Sequence, residues 1–349
     1  MKLKNYGYRK QINKNKENKM SVGLDLGTAN LVAARLTGKS VTTKRLRNAF
    51  VGIDDEQKQR LAQGNLNAVH IKDKAYIVGD EAIAIARILN QEVRRPMSSG
   101  VLNPDEKDGR AVISALVKAL VGEPDEDFEK CCFSIPAVPV DNLKANNVWH
   151  TGFFSQLLED LGYAPEPVNE ALAIVYAECA DDNHTGICIS HGAGQVNIAC
   201  SYKLVGSLEF SICRSGDWID NNTAAAVGIP VARVLKVKED PDFDLQNPDA
   251  LDEEIGPALY YHYAAMIKYE IQHLVQQWSK MKSQLDFPEA IPIILSGGTA
   301  SLRGFKELWE RELSRFSRKA PLPFKVKEIR MAQDPLGAVA RGLLTYAMV

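Results

Sequence analysis

SVGLDLGTAN, residues 21–30, carries a short apolar strand straight into an aspartate, a glycine and a threonine. Val22, Gly23, Leu24 and Leu26 read as buried strand, and Asp25 interrupts them with a charge that needs a partner. A metal ion or a phosphate is the partner such a position suits. Gly27 and Thr28 follow at once, so backbone N–H groups can approach a phosphate closely while the carboxylate faces a hydrated cation. A plain β-hairpin turn is the other reading of the same residues.

Two further turns repeat the theme. SHGAGQVN, residues 190–197, follows a second strand, and Gly192 and Gly194 again leave the backbone bare. Two glycine hairpins facing each other make a phosphate clamp. LSGGTASLRGF, residues 295–305, puts Gly297 and Gly298 at a strand end before a helix expected from Ala300 or Ser301, as backbone contact with a nucleoside requires. Packing alone explains that last turn when it stands by itself; the three together are far more specific. AARLTGKS, residues 33–40, imitates a P-loop, but Ala33 stands where the first glycine belongs and the segment joins two strands instead of opening a helix. Lys39 is therefore expected on an exposed turn.

Around these turns strands alternate with helices. Residues 21–36 and 41–52 read as a strand hairpin. Helices are expected near 80–90, 107–121, 145–161 and 169–180, with a buried strand at 131–138 and a second strand set in TGICIS, QVNIACSY and SLEFSICR. Leu259, Tyr263, Ile267, Ile271, Leu274 and Trp278 fall on one stripe of a helix over 258–282, which is core packing. A strand hairpin opening each half predicts an α/β protein with two similar lobes.

Composition agrees. With 349 residues, 45% of them hydrophobic, the chain fills two ordinary domains. A net charge of −2 offers no basic field for nucleic acid, and no apolar run reaches the ~20 residues of a membrane span. Cys131, Cys132, Cys179, Cys188, Cys200 and Cys213 lie mostly in apolar segments without paired metal spacing, which predicts buried thiols in a reducing, cytoplasmic setting. Residues 1–20, rich in Lys and Asn, read as a disordered basic tail whose few scattered apolar residues argue against a strong membrane anchor.

GLDLGTAN, VNEALAIVYA, SHGAGQVNIA, ILSGGTASLRGF and DPLGAVARG resemble, in order and spacing, the five motifs of the actin, DnaK-type chaperone and sugar-kinase superfamily. VGDEA at 78–82, RRPMSSGVLNPDE at 94–106 and SGDWID at 215–220 are most similar to the bacterial actin group of the MreB type. The resemblance implies a two-lobed actin-like ATPase fold, two RNase H-like domains around a nucleotide cleft. Residues 21–166 with 331–349 would form the first lobe and 167–330 the second. It implies ATP and Mg²⁺ as cofactors. Asp25, Gly27, Thr28, Ala29 and Asn30 would form the first phosphate loop, and Gly192, Ala193, Gly194 and Gln195 the second. Asp25 would hold the metal through water, as would Ser190. Gly297, Gly298 and Thr299 would contact the adenosine, and Lys236 would clamp the base; a merely solvated lysine is its other reading.

Glu170 falls where the resemblance places the group that orients the attacking water, and a carboxylate can accept that water's hydrogen bond. A glutamate favoured by a helix N-terminus is the alternative. Ser190 departs from the pattern: an aspartate usually opens the second loop, and the hydroxyl carries one negative charge fewer toward a divalent cation. His191, Ala193 and Asn197 are also atypical, with His191 read either as a phosphate donor or as a structural histidine. The expected function is a slow Mg-dependent ATPase whose nucleotide state controls filament assembly. A degenerate nucleotide-binding adaptor of the same fold is the alternative, and a small-molecule kinase a more distant one. Expected partners are further copies of the chain and membrane-associated or adaptor proteins, not nucleic acid.

Overall fold

The computed structural model describes residues 21–54, 56–57, 68–71, 73–142, 144–281, 287 and 289–349; the tail expected over residues 1–20 lies outside them. The chain opens on β1 (Ser21–Leu26), β2 (Asn30–Thr37) and β3 (Ser40–Arg47), an antiparallel run. The P-loop imitation sits on the β2–β3 turn, where Gly38 takes a positive φ of 63° and Lys39 is exposed. β4 (Phe50–Ile53), β5 (Ala68–Ile71) and β6 (Lys74–Val78) form a small separate sheet, on which α1 (Asp80–Leu89) buries Ala82, Ile85 and Ala86. A short hairpin follows, β7 (Met97–Ser98) and β8 (Val101–Leu102). After α2 (Gly109–Val121), β9 (Lys130–Ile135) joins β1 in parallel; after α3 (Val148–Asp160), β10 (Ala164–Asn169) joins β9 in parallel. The finished sheet has the order β10-β9-β1-β2-β3.

The second half repeats the plan. α4 (Glu170–Glu178) leads to β11 (Gly186–His191), β12 (Val196–Tyr202) and β13 (Val205–Ile212), again antiparallel. Three helices, α5 (Gly216–Val227), α6 (Val231–Lys238) and α7 (Ile255–Lys280), precede β14 (Ile291–Ser296), which joins β11 in parallel. A 3₁₀ turn at Gly298–Ser301, α8 (Phe305–Ser317), β15 (Val326–Met331) and α9 (Ala338–Met348) complete the chain. This sheet reads β13-β12-β11-β14-β15, so in each lobe the first strand has two antiparallel strands in succession on one side and two parallel strands on the other. Two similar lobes were expected, and two sheets of one topology are found.

Each sheet has its own core, and a third apolar cluster joins them through α4 and α9. The α7 stripe is core as expected, with Leu259, Tyr263, Ile267, Ile271, Leu274 and Trp278 at most 1% exposed. α9 packs on α4 and β1 so closely that a Cβ on Gly23 would overlap the Ala340 carbonyl, and one on Gly342 the Ala173 carbonyl. Side chains at either position would push the joining helix off its seat. Five cysteines are buried, Cys213 is partly so, and all six are free thiols. Among the described residues no helix is long and apolar enough to cross a membrane.

Candidate functional site

The first hairpin of each sheet carries one of the glycine turns. In β1, Asp25 stands opposite Val32 on β2; in β11, the matching residue Ser190 stands opposite Asn197 on β12. Glycine is required at the same point of both hairpins: a Cβ on Gly27 would come within 2.5 Å of the Asn30 carbonyl oxygen, and one on Gly192 within 2.9 Å of that of Gln195. The two turns meet. A Cβ on Gly194 would overlap Thr28 Oγ1 and the Gly100 nitrogen. Gly100 N–H donates to Thr28 Oγ1 at 3.1 Å, and Gln195 Nε2 donates to the Ser99 carbonyl at 2.8 Å. The β7–β8 hairpin tip, Ser99–Gly100, therefore lies against both loops.

Each loop is braced from behind. Buried Asn48 donates from Nδ2 to the Gly27 carbonyl at 3.0 Å and from its backbone N–H to that of Ala29 at 2.9 Å, which fixes the turn leading to Asn30. The Gly192 carbonyl accepts from Gly216 N–H at 3.1 Å and from Thr299 Oγ1 at 2.9 Å; the Ala193 carbonyl accepts from Asp217 N–H at 2.8 Å. These bonds draw the second loop to the N-terminus of α5 and to the third loop.

The polar centre lies between Asp25 and Glu170. Ser134, on β9 beside β1, donates to Asp25 Oδ1 at 3.0 Å and accepts from Leu26 N–H at 2.8 Å. Glu170 is the first residue of α4, whose start is fixed by the Asn169 side chain accepting from Ala171 and Leu172 N–H at 2.9 and 3.0 Å. Ser190 Oγ donates to Glu170 Oε1 at 2.6 Å, and Asn197 Nδ2 to Oε2 at 2.9 Å. Burial raises the Asp25 carboxyl above its ordinary range, with the Ser134 bond opposing. Burial, then the charge of Asp25, raises Glu170, with the Ser190 bond opposing. Among the described residues neither carboxylate has an ion pair with a lysine or arginine. A buried carboxylate pair without a cationic side chain beside it fits a divalent cation held nearby. The Ser190 hydrogen, however, already points to Glu170.

The third loop runs differently from expectation. After Gly297 (φ 94°) comes the 3₁₀ turn over 298–301, and the α-helix begins only at Phe305, because Leu302 is extended and Gly304 takes a left-handed φ of 79°. Gly298 is exposed, whereas Thr299 is buried with its hydroxyl spent on Gly192. Gly297 N–H and Ser296 Oγ both donate to the Pro335 carbonyl, at 2.9 and 3.0 Å, joining this loop to the segment that caps α9. Beside it opens a depression of about 380 Å³ whose walls include Ser301, Leu302, Asp334 and Leu336. Lys236 is exposed on α6, and among the described residues no hydrogen bond or ion pair joins it to the loops. His191 is structural: fully buried, it donates from Nδ1 to the Ser296 carbonyl at 3.1 Å, and its Nε2 lies 2.9 Å from Glu270 Oε2. Sequence reasoning passed over Asn48, Ser99, Gly100 and Ser134.

Comparison with known proteins places this geometry. The family model described as Volactin matches residues 20–347. No curated protein matches the chain. Among solved structures, a MamK double helical filament superposes with a TM-score of 0.69 at 18% identity, covering 95% of this chain and 99% of that one. MreB 5 of Spiroplasma citri bound to AMPPNP gives 0.62 at 14% identity, covering 93% and 95%. The ethanolamine utilization protein EutJ from Carboxydothermus hydrogenoformans gives 0.54 at 18%, covering 93% and 90%. The fold is the actin-like one, as the motifs imply.

Proposed function

Since the chain belongs to the Volactin family and has an actin-like fold, we propose that it binds Mg-ATP between its lobes, hydrolyses it slowly, and assembles according to its nucleotide state. The lobes in this reading are residues 21–166 with 331–349, and 167–330. The observation that carries it is the meeting of the two glycine hairpins at Thr28 and Gly194 beside the Asp25–Glu170 carboxylates. The turns Gly27–Asn30 and Gly192–Gln195 meet at Thr28 and Gly194, and apart from the Gly192 N–H, which donates to the Gln195 carbonyl at 3.0 Å, their backbone N–H groups are the donors that would cradle phosphate oxygens. Gly297, Gly298 and Thr299 would contact the adenosine beside the depression, and Lys236 is the base-side clamp that the family resemblance implies.

Asp25 and Ser190, both through water, are the residues that would hold Mg²⁺; when bound, the ion would offset charge on the phosphate oxygens. Glu170 accepts a hydrogen bond from the attacking water and aligns it. A lone pair of the water oxygen forms the new bond to the γ-phosphorus, the bond to the bridging oxygen breaks with its electrons left on ADP, and the water's proton ends on the phosphate product. Two of the structural neighbours support the rest of the reading: one is a filament, and another carries AMPPNP.

The Ser190–Glu170 bond favours one second reading, a nucleotide-binding adaptor with little turnover, because it leaves the metal side short of a carboxylate. Sedimentation with parallel phosphate-release measurements separates the two. The ATPase reading expects pelleting with Mg-ATP and slow phosphate release. Persistent monomers that retain bound nucleotide and release no phosphate would support the adaptor.

A further inference from the structure

Asn197 is 1% exposed, and its amide is oriented by its neighbours. Ala137 N–H donates to Oδ1 at 2.9 Å, so Nδ2 is the end that faces Glu170 Oε2. Its cross-strand partner Ser190 holds the other oxygen. Both oxygens of Glu170 are thus held from adjacent strands of the second sheet.

Ala137 belongs to a strap, residues 136–141, that leaves the first sheet after β9 and docks on the edge of the second. Pro139 bridges Ser211 of β13; Val140 N–H donates to the Ser211 carbonyl at 2.9 Å, and Ser211 Oγ to the Ala137 carbonyl at 2.7 Å. The Asp141 carboxylate accepts from Cys213 N–H at 3.0 Å. One buried amide therefore connects the glutamate at the site with the strap that joins the lobes.

We propose that Asn197 is a positioning residue: it aims the Glu170 carboxylate at the attacking water and ties that aim to docking of the 136–141 strap on β13. This rests on the reading of Glu170 as the water-orienting group. Loss of the strap contact frees the amide to turn, and Glu170 then keeps one donor instead of two.

The test turns on a substitution that separates the two ends of the amide. Asn197→Asp keeps size and the acceptor for Ala137 N–H but loses the amide donor to Glu170; Asn197→Ala removes both. The expected result for either is a kcat for phosphate release lowered by roughly 10-fold or more, the usual range for residues that orient a reacting group, with KM for ATP within roughly twofold. Asn197→Asp should also lower the urea midpoint. Adding Glu170→Gln, whose amide can donate to the new aspartate, should recover the midpoint but not the rate. An Asn197→Asp protein with parental kcat overturns the proposal in favour of a strap anchor alone. Additive urea midpoints overturn it by denying the direct pair. A parent that releases no phosphate overturns the hydrolysis reading and this role with it, and that failure shows before any variant is made.

Discussion

Arg95 and Asp217 join the lobes by a two-pronged ion pair, Nη1 to Oδ1 at 3.0 Å and Nη2 to Oδ2 at 2.8 Å. Arg95 precedes the β7–β8 hairpin, and Asp217 lies in the first turn of α5, whose N-terminus holds the second glycine loop. The pair therefore latches the segment leading into the hairpin to the helix N-terminus that holds the second glycine loop. At 35% and 25% side-chain exposure it is worth no more than about 1 kcal/mol to stability.

Its effect should appear in exchange. Arg95→Ala should speed release of bound nucleotide by up to about fivefold, the equivalent of that energy, while barely moving the thermal midpoint. Stopped-flow release of a fluorescent ATP analogue reads this. An unchanged release rate would show that the latch does not govern access.

The carboxylate pair predicts a pH trend for the nucleotide-free protein. Asp25 and Glu170 both have raised folded-state pKa values, so the folded chain holds their protons more tightly than the unfolded chain. Their contribution is fully present below the unfolded pKa values, 3.8 for the aspartate and 4.5 for the glutamate, and is lost as pH climbs through the raised values. Glu170→Gln should remove much of that loss. Urea midpoints for both proteins from pH 5 to about 8 should diverge in favour of the variant; parallel curves would mean that burial does not hold the Glu170 carboxyl above its ordinary range.

Much of this site was legible because glycine leaves a strong mark. Gly27, Gly192 and Gly297 stand where a side chain would strike backbone, so the turns could be found without knowing what they face. The α7 stripe was legible by its period. Ser134, 109 residues from its partner Asp25, was not, because a serine in an apolar strand carries no local signal of the bond it makes. Asn48 and the Ser99–Gly100 tip escaped for the same reason. The helix after the third loop begins later than expected because Gly304, not the glycine pair, sets its start. His191 reads ambiguously in sequence, since only the fold shows Glu270 beneath it.

Ser190→Asp tests what the serine does. The structure has this hydroxyl donating to Glu170, so the substitution removes a donor and adds a third carboxylate. The nucleotide-free variant should melt below the parent, and millimolar Mg²⁺ should stabilise it more than it does the parent, because the added charge finds a partner in the cation. A variant no more responsive to Mg²⁺ than the parent would place position 190 away from the metal.

Thermal unfolding of the parent beside Asp25→Asn, with and without Mg-ATP, shows whether the site at Asp25, Gly27, Gly194 and Gly298 takes Mg-nucleotide. The parent should gain stability by linkage, ~2.7 kcal/mol at a hundredfold excess over the dissociation constant, and the variant should gain clearly less. No shift with ATP or GTP, or an equal shift in the two proteins, would contradict the account.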